Sequence, residues 1–214
     1  EEAAAGPAAA TAYSARVGAT GALGFYWLTV GRVLRTLRVL ALRVAAVAGL
    51  VALVAHALWL SAAAPAWQIL TILSVLSSTA LLGGSCTALV LGHYYLVVRS
   101  LDVSHLQSMV KLHLGSTVIR VLIVGSVVWM AIVTTQPAMG VAFGRYITSV
   151  AGIFFWQRVL FGLVGPLVLA CLAWETAKIH STQSATGILY IDFFSVMVGE
   201  VLAKYLLLAT RVPV

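Results

Sequence analysis

The sequence predicts an all-α fold: a polytopic integral membrane helical bundle of about five transmembrane helices, preceded by an N-terminal interfacial helix. Three observations predict it. First, 62% of the 214 residues are hydrophobic and only 9% are charged, against roughly 45–50% and about 25% in soluble domains. One soluble core of this length cannot hide that much apolar surface. Second, the apolar residues fall into five runs near or above the roughly 20 residues that cross a bilayer as a helix. Third, none of those runs alternates with period two, which removes a transmembrane β-barrel.

The elements follow in order. Residues 1–21 are rich in Ala and Gly without apolar periodicity and are expected as a mobile tail. Residues 22–40 place Arg32, Arg35 and Arg38 behind Phe25, Tyr26 and Trp27. Aromatic rings at the acyl boundary and arginines among phosphates describe a helix lying in the interface. The Arg step also occurs in voltage sensors, but this run is short and no four-helix sensor precedes a pore. Residues 41–214 then form the bundle, with spans expected at 41–63, 68–98, 105–134, 149–174 and 185–209. The second and third are long enough to tilt or to project past the lipid. Their links are short, which makes successive helices antiparallel neighbours.

Inside the fourth span, Pro166 should kink the helix, and Gly162 and Gly165 permit close approach by a neighbour. The hydroxyl-rich stretch 181–187 reads as the N-terminal cap of the last helix. Cys86 and Cys171 both lie inside apolar runs and are expected as small packing residues. They form neither a disulfide framework nor a metal motif. No internal repeat is visible, which argues against an inverted-repeat transporter.

The net charge of +7 does not point to nucleic acid. The basic residues sit at the ends of apolar runs, where anionic headgroups attract them. Arg32, Arg35, Arg38, Arg43, Arg99, Lys111 and Lys178 collect on one face, while Arg145 and Arg211 mark the other. The positive-inside rule therefore expects a cytoplasmic N-terminus, an external C-terminus and a bacterial inner (plasma) membrane as the location.

Polar residues within the spans carry the functional argument. His93 and His113, on adjacent helices, are both expected roughly 7–12 Å below the cytoplasmic interface at 1.5 Å rise per residue. Asp192 falls at a similar level. Arg120, Arg158, Glu200 and His56 lie deeper. A charge at the bilayer centre costs at least about 2.5–3.5 kcal/mol on insertion scales, so Glu200 is expected to pair with Arg120 or Arg158, and His56 to bond a hydroxyl or Glu200. His113, Ser116, Thr117 and Arg120 recur at i, i+3, i+4 and i+7, one helical stripe. Asp192 and Glu200 are nearly in line on the last span. Two facing polar stripes outline an internal path.

The leading expectation is a membrane-embedded subunit of a respiratory or photosynthetic electron-transfer complex, binding haem b and/or quinone near its cytoplasmic face. Haem b needs axial ligands at matching depth, which nominates His93 and His113 for the iron. His105, Tyr94, Tyr95 and Gln107 are candidates for a quinone headgroup or the propionates, with Arg99, Lys111 and Arg120 to neutralise the latter. Arg120, Arg158, Asp192 and Glu200 are candidates for a proton path or buried charge pair. In general layout only, the chain resembles the membrane anchors of respiratory oxidoreductases, so other complex subunits are expected as partners, with no nucleic acid. No motif matches such a family residue by residue, and no ligand is carried over from it. The alternatives are an accessory subunit without cofactor and a small transporter or channel subunit with an Arg–Glu gate. An intramembrane metalloprotease is not indicated, because no HExxH occurs.

Overall fold

The computed structural model describes residues 2–29, 35–61, 64–98, 102–135, 137–138 and 140–214. Among the described residues the regular structure is helical apart from one antiparallel pair of two-residue strands, and five helices are long and apolar enough to cross a membrane. The spans are Val39–Leu60, Pro65–Val97, Ser104–Val133, Val150–Lys178 and Thr182–Thr210. Lipid dictates this economy, because a helix satisfies every backbone N–H and C=O within itself.

In chain order the helices are α1 Glu2–Thr29, α2 Arg35–Leu60, α3 Pro65–Val97 and α4 Ser104–Val133. The hairpin pairs β1 Pro137–Ala138 with β2 Val141–Ala142 and leads into α5 Phe143–Ile147. The fourth span is composite: a 3-10 turn at Val150–Gly152, α6 Ile153–Val159, a π-turn at Leu160–Val164 and α7 Gly165–Lys178. α8 Thr182–Thr210 closes the chain.

Two compact units emerge, Glu1–Leu76 and Ser77–Val214. In the first, α1 lies against α2, with Ala12, Ala41, Ala45, Ala52 and Ala55 buried. This differs from the expected mobile tail at 1–21 and separate interfacial helix at 22–40: one helix spans most of both, and residues 35–40 open α2. Alanine is the strongest helix former, and alanine on every face leaves no periodicity to read. Arg32 lies outside the described residues, as do the side chains of Arg35 and Arg38.

The second unit holds the polar residues. α4 buries Leu106, Val110, His113, Thr117, Arg120, Val124, Val127 and Ala131. Steps of four and three in alternation make one continuous seam of the coiled-coil kind. At the end of the unit where α3 meets α4 and α7 meets α8, Ala88 and Tyr95 pack with Leu106, Val110, Ala173, Ala177, Ala185 and Leu189. Hydrogen bonds tie the same end: Thr186 donates to the Gly92 carbonyl at 2.9 Å, and Gln107 to the Ala177 carbonyl at 3.1 Å. Tyr95 donates to the Asp102 carbonyl.

Each turn has its own stop. Asp102 accepts the Ser104 N–H at 3.0 Å before α4. That backbone bond, then the Ser104 hydroxyl, holds the exposed Asp102 carboxyl below its ordinary value; its support of the turn is present at neutral pH and lost as acid protonates it. α7 ends with His180 at φ 60°, His180 N–H on Ala177 and Ser181 N–H on Thr176, the two bonds of a Schellman motif. Ser181 caps α8 by position, but its hydroxyl bonds the Ser184 hydroxyl rather than a backbone amide.

Pro166 does more than kink its helix. In the π-turn the Gly165 N–H reaches the Leu160 carbonyl. The Phe161 carbonyl would then look to position 166, which has no N–H to offer. Ser195 of α8 donates to that carbonyl at 2.6 Å. One residue further in, Gly162 and Gly199 cross with no room for a side chain: a Cβ on Gly199 would lie 2.1 Å from the Gly162 Cα. The two cysteines, expected as packing residues, are instead free and exposed on their helices; an apolar run tells depth but not which way a small side chain faces.

The crossing yields a prediction. Ala exceeds Gly in helix propensity by about 0.8–1 kcal/mol, but forcing a methyl into closed space typically costs about 1–3 kcal/mol. Gly199→Ala should therefore destabilise the protein, whereas Gly187→Ala, where a Cβ meets nothing within 4 Å, should be neutral or stabilising. Unfolding in mixed micelles measures both; equal stabilities would mean the helices do not cross here.

Candidate functional site

Glu200 is the hub of a buried cluster drawn from four elements. Its Oε1 accepts Arg120 Nε at 3.2 Å and Arg158 Nη2 at 3.1 Å. Its Oε2 accepts Arg120 Nη2 at 3.4 Å and the Ser78 hydroxyl. Arg120 also donates from Nη1 to Ser77 Oγ at 3.3 Å. α3, α4, α6 and α8 thus converge on one carboxylate. Arg120 and Arg158 are essentially fully buried, at 1% and 0% exposure.

The expected pairing of Glu200 with one arginine turns out to involve both. Glycine makes this possible. The Arg158 guanidinium lies where a side chain on Gly162 would be, with Nη1 1.8 Å from the missing Cβ position. Arg158 Nε and Nη1 have no hydrogen-bond partner. Two guanidiniums on one carboxylate leave an excess positive charge inside the span, and Lys204 stands one turn beyond Glu200 on α8.

A second buried pair joins α4 and α8. His113 Nε2 is 2.8 Å from Asp192 Oδ2, and both side chains are fully enclosed. The oxygen sits off the ring N–H axis, so the contact is electrostatic rather than an aligned hydrogen bond. His113 and Arg120 are separated by about 10 Å along α4, and Asp192 and Glu200 by about 12 Å along α8, at 1.5 Å per residue. Thr117 fills the buried seam between His113 and Arg120 and donates to the His113 carbonyl at 2.9 Å. Ser116, on the expected stripe, is only half-buried and bonds the same carbonyl at 2.7 Å.

The other nominated residues separate from this core. His93 is exposed on α3, its Nδ1 3.1 Å from the Tyr190 hydroxyl. Tyr94 is exposed beside it, and His105 is exposed in the first turn of α4. Arg99 lies outside the described residues. Tyr95 and Gln107 spend their polar ends on backbone carbonyls. Lys111 and Lys178 flank the Trp174 ring at 4.5 and 5.1 Å. His56, in the first unit, stacks on Trp59 with centroids 5.9 Å apart.

The chain matches no protein family, no curated protein and no solved structure. Its residues alone carry the functional argument. Among the described residues, no group of three or more His, Cys, Asp and Glu side chains gathers as a metal site. The haem expectation needs His93 and His113 to present nitrogens across a common porphyrin. Instead His113 turns Nε2 to Asp192 inside the bundle, and His93 turns to Tyr190 on an exposed flank. These two histidines do not fit a shared haem. Sequence reasoning also missed Ser77 and Ser78, although Ser78 and Ser85 fall seven apart on the buried face of α3, a spacing that marks one stripe.

The two pairs should respond differently to neutralisation. Glu200→Gln strands two guanidiniums that cannot shed a proton, and breaking a buried pair costs about 3–5 kcal/mol. Asp192→Asn leaves an imidazole that can be neutral, so the loss should be nearer the about 1–3 kcal/mol of an unsatisfied polar group. Stabilities in mixed micelles rank the two variants; an Asp192→Asn loss equal to or larger than that of Glu200→Gln would contradict this assignment.

Proposed function

We propose that this chain is the membrane-embedded subunit of an electron-transfer complex, and that its own task is to carry protons through the bundle to a lipid-soluble quinone. Electrons on this reading pass between the quinone and a redox partner subunit docked on one face. The observation that supports it most is the stacking of His113–Asp192, on α4 and α8, above Arg120–Glu200–Arg158, on α4, α8 and α6. Ionisable side chains within membranes are costly and characteristically mark proton or ion routes. Histidine is the side chain whose charge changes most readily near neutral pH, and here it faces a carboxylate in a water-excluded site. The excess lysine and arginine at the α3–α4 and α7–α8 end argue for a cytoplasmic face there, with the bacterial inner membrane as location.

A second reading draws on the π-turn beside Arg158. Such turns often sit at functional sites, and a shift there would make or break the Arg158–Glu200 contact, as a gate requires. Solute flux in liposomes that depends on Glu200 without any redox partner would favour it.

The complex isolated through this chain from its native membrane, reconstituted in liposomes, tests the proton-carrying reading. Asp192→Asn and Glu200→Gln should each lower quinol-linked proton movement about a hundredfold, the order expected for losing a proton-transferring group. Glu175→Gln, which only breaks the exposed contact with Lys178, should leave it unchanged. Full proton movement in the Asp192→Asn protein overturns the reading.

A further inference from the structure

An open groove of ≈ 310 Å³ runs between α1 and α2 in the first unit. Arg16 and Thr20 of α1 line it with His56 of α2, over a floor that includes Gly49, Ala52 and Leu53. The floor is open at Gly49, where a Cβ would meet nothing within 4 Å.

The helix pair sets the depth of this groove. α2 carries the span Val39–Leu60. α1 ends at Thr29 and α2 begins at Arg35, a link short enough to make them antiparallel neighbours. Gly18 meets Ala48: a Cβ on Gly18 would lie 3.9 Å from the Ala48 Cβ. From that level, at 1.5 Å per residue, Arg16 starts about 15 Å inside the Leu60 end of the span, and His56 about 6 Å inside it. Helical side chains tilt toward their own N-terminus. For α1 that direction is toward the Leu60 end, so the Arg16 guanidinium rises toward His56. His56 stacks on Trp59, with centroids 5.9 Å apart, and tryptophan favours the level where headgroups meet acyl chains. The groove is therefore polar near the lipid surface and apolar below it.

Arg16 brings a charge to this depth, and a cation within a bilayer is costly unless paired. The sequence has no Asp or Glu from residue 3 to residue 101. Glu2 opens α1, about 21 Å along the helix from Arg16. Glu175, Asp192 and Glu200 have basic partners of their own, Asp102 holds a turn, and among the described residues Arg16 enters no ion pair. The Thr20 hydroxyl is spent on the Arg16 and Val17 carbonyls, at 2.9 and 3.1 Å. The groove thus suits a ligand with a negative head at its His56 end and a hydrocarbon tail on its floor.

We propose that the groove seats one anionic glycerophospholipid. Its phosphate oxygens accept the Arg16 guanidinium, whose planar fork matches them in pairs. The His56 imidazole stands at the same level, and an acyl chain lies over Gly49, Ala52 and Leu53. The seat ties α1 to α2 through a lipid and does not depend on the quinone-linked function proposed above.

Native mass spectrometry of the full chain tests the seat. The chain in detergent micelles is offered equal phosphatidylglycerol and phosphatidylcholine with the same acyl chains, and the lipid retained longest as collision energy rises is identified. Wild type is expected to keep one phosphatidylglycerol about fivefold over phosphatidylcholine, the order of one arginine's attraction to an anionic lipid. Arg16→Gln should abolish that preference, and Gly49→Leu, which grows into the open floor, should reduce it. Arg43→Gln removes an exposed cation nearer the other end of α2 and should leave it unchanged. Equal retention of the two lipids by wild type overturns the seat without any variant. A preference undiminished in folded Arg16→Gln, or lost equally in Arg43→Gln, overturns it too, the latter because a diffuse basic surface would then hold the lipid.

Discussion

One carboxylate held by two guanidiniums is the constraint on which the second unit depends. Each of these charges costs at least about 2.5–3.5 kcal/mol to place at mid-membrane. Only charge-assisted and partly bidentate hydrogen bonds in a low dielectric offset that sum. Arg120 supplies the bidentate half, Arg158 a second donor and Ser78 a hydroxyl. Because these groups come from α4, α6 and α3, the register of three elements against α8 is specified by a single side chain. The Gly162–Gly199 crossing belongs to the same constraint, since a methyl at either position would occupy the space that the Arg158 guanidinium fills or force the backbones apart.

Fixing α4 against α8 at Glu200 also fixes them about two turns nearer the α7–α8 link. There the same seam brings His113 to Asp192. The bundle therefore holds two polar layers of different chemistry. The deeper one joins two guanidiniums to one carboxylate and fixes the geometry of the elements that carry them. The shallower one sets an imidazole against a carboxylate, and one nitrogen of that imidazole is unpaired beside Gly84. The π-turn sits between them in function: Ser195 repairs the carbonyl that Pro166 orphans, and the fourth span stays continuous enough to hold Arg158 in place.

Much of this was legible in the chain. The spans follow the apolar runs closely, as with residues 105–134 expected and Ser104–Val133 found, because bilayer thickness and backbone hydrogen bonding leave little freedom. The Glu200 pairing was legible because lipid offers a buried arginine no other relief. Facing was harder. His93 and His113 have similar depths by residue count, but the turns of α3 around His93 are apolar or aromatic on every side, so nothing local says that His93 points outward to Tyr190. The N-terminal helix left no trace in periodicity for the converse reason, being small residues on every side. The register shift at Leu160–Val164 depends on Ser195, more than thirty residues away, and no local pattern encodes it.

The central claim is an energetic coupling between Arg158 and Glu200, and a double-mutant cycle reads it directly. Arg158→Gln, Glu200→Gln and the double variant are compared by unfolding free energy in mixed micelles. A buried ion pair predicts strong non-additivity, a coupling of about 1.5–3 kcal/mol, with the double variant less damaged than the sum of the singles. Additive losses, with coupling near zero, would show that Arg158 and Glu200 do not meet inside the membrane.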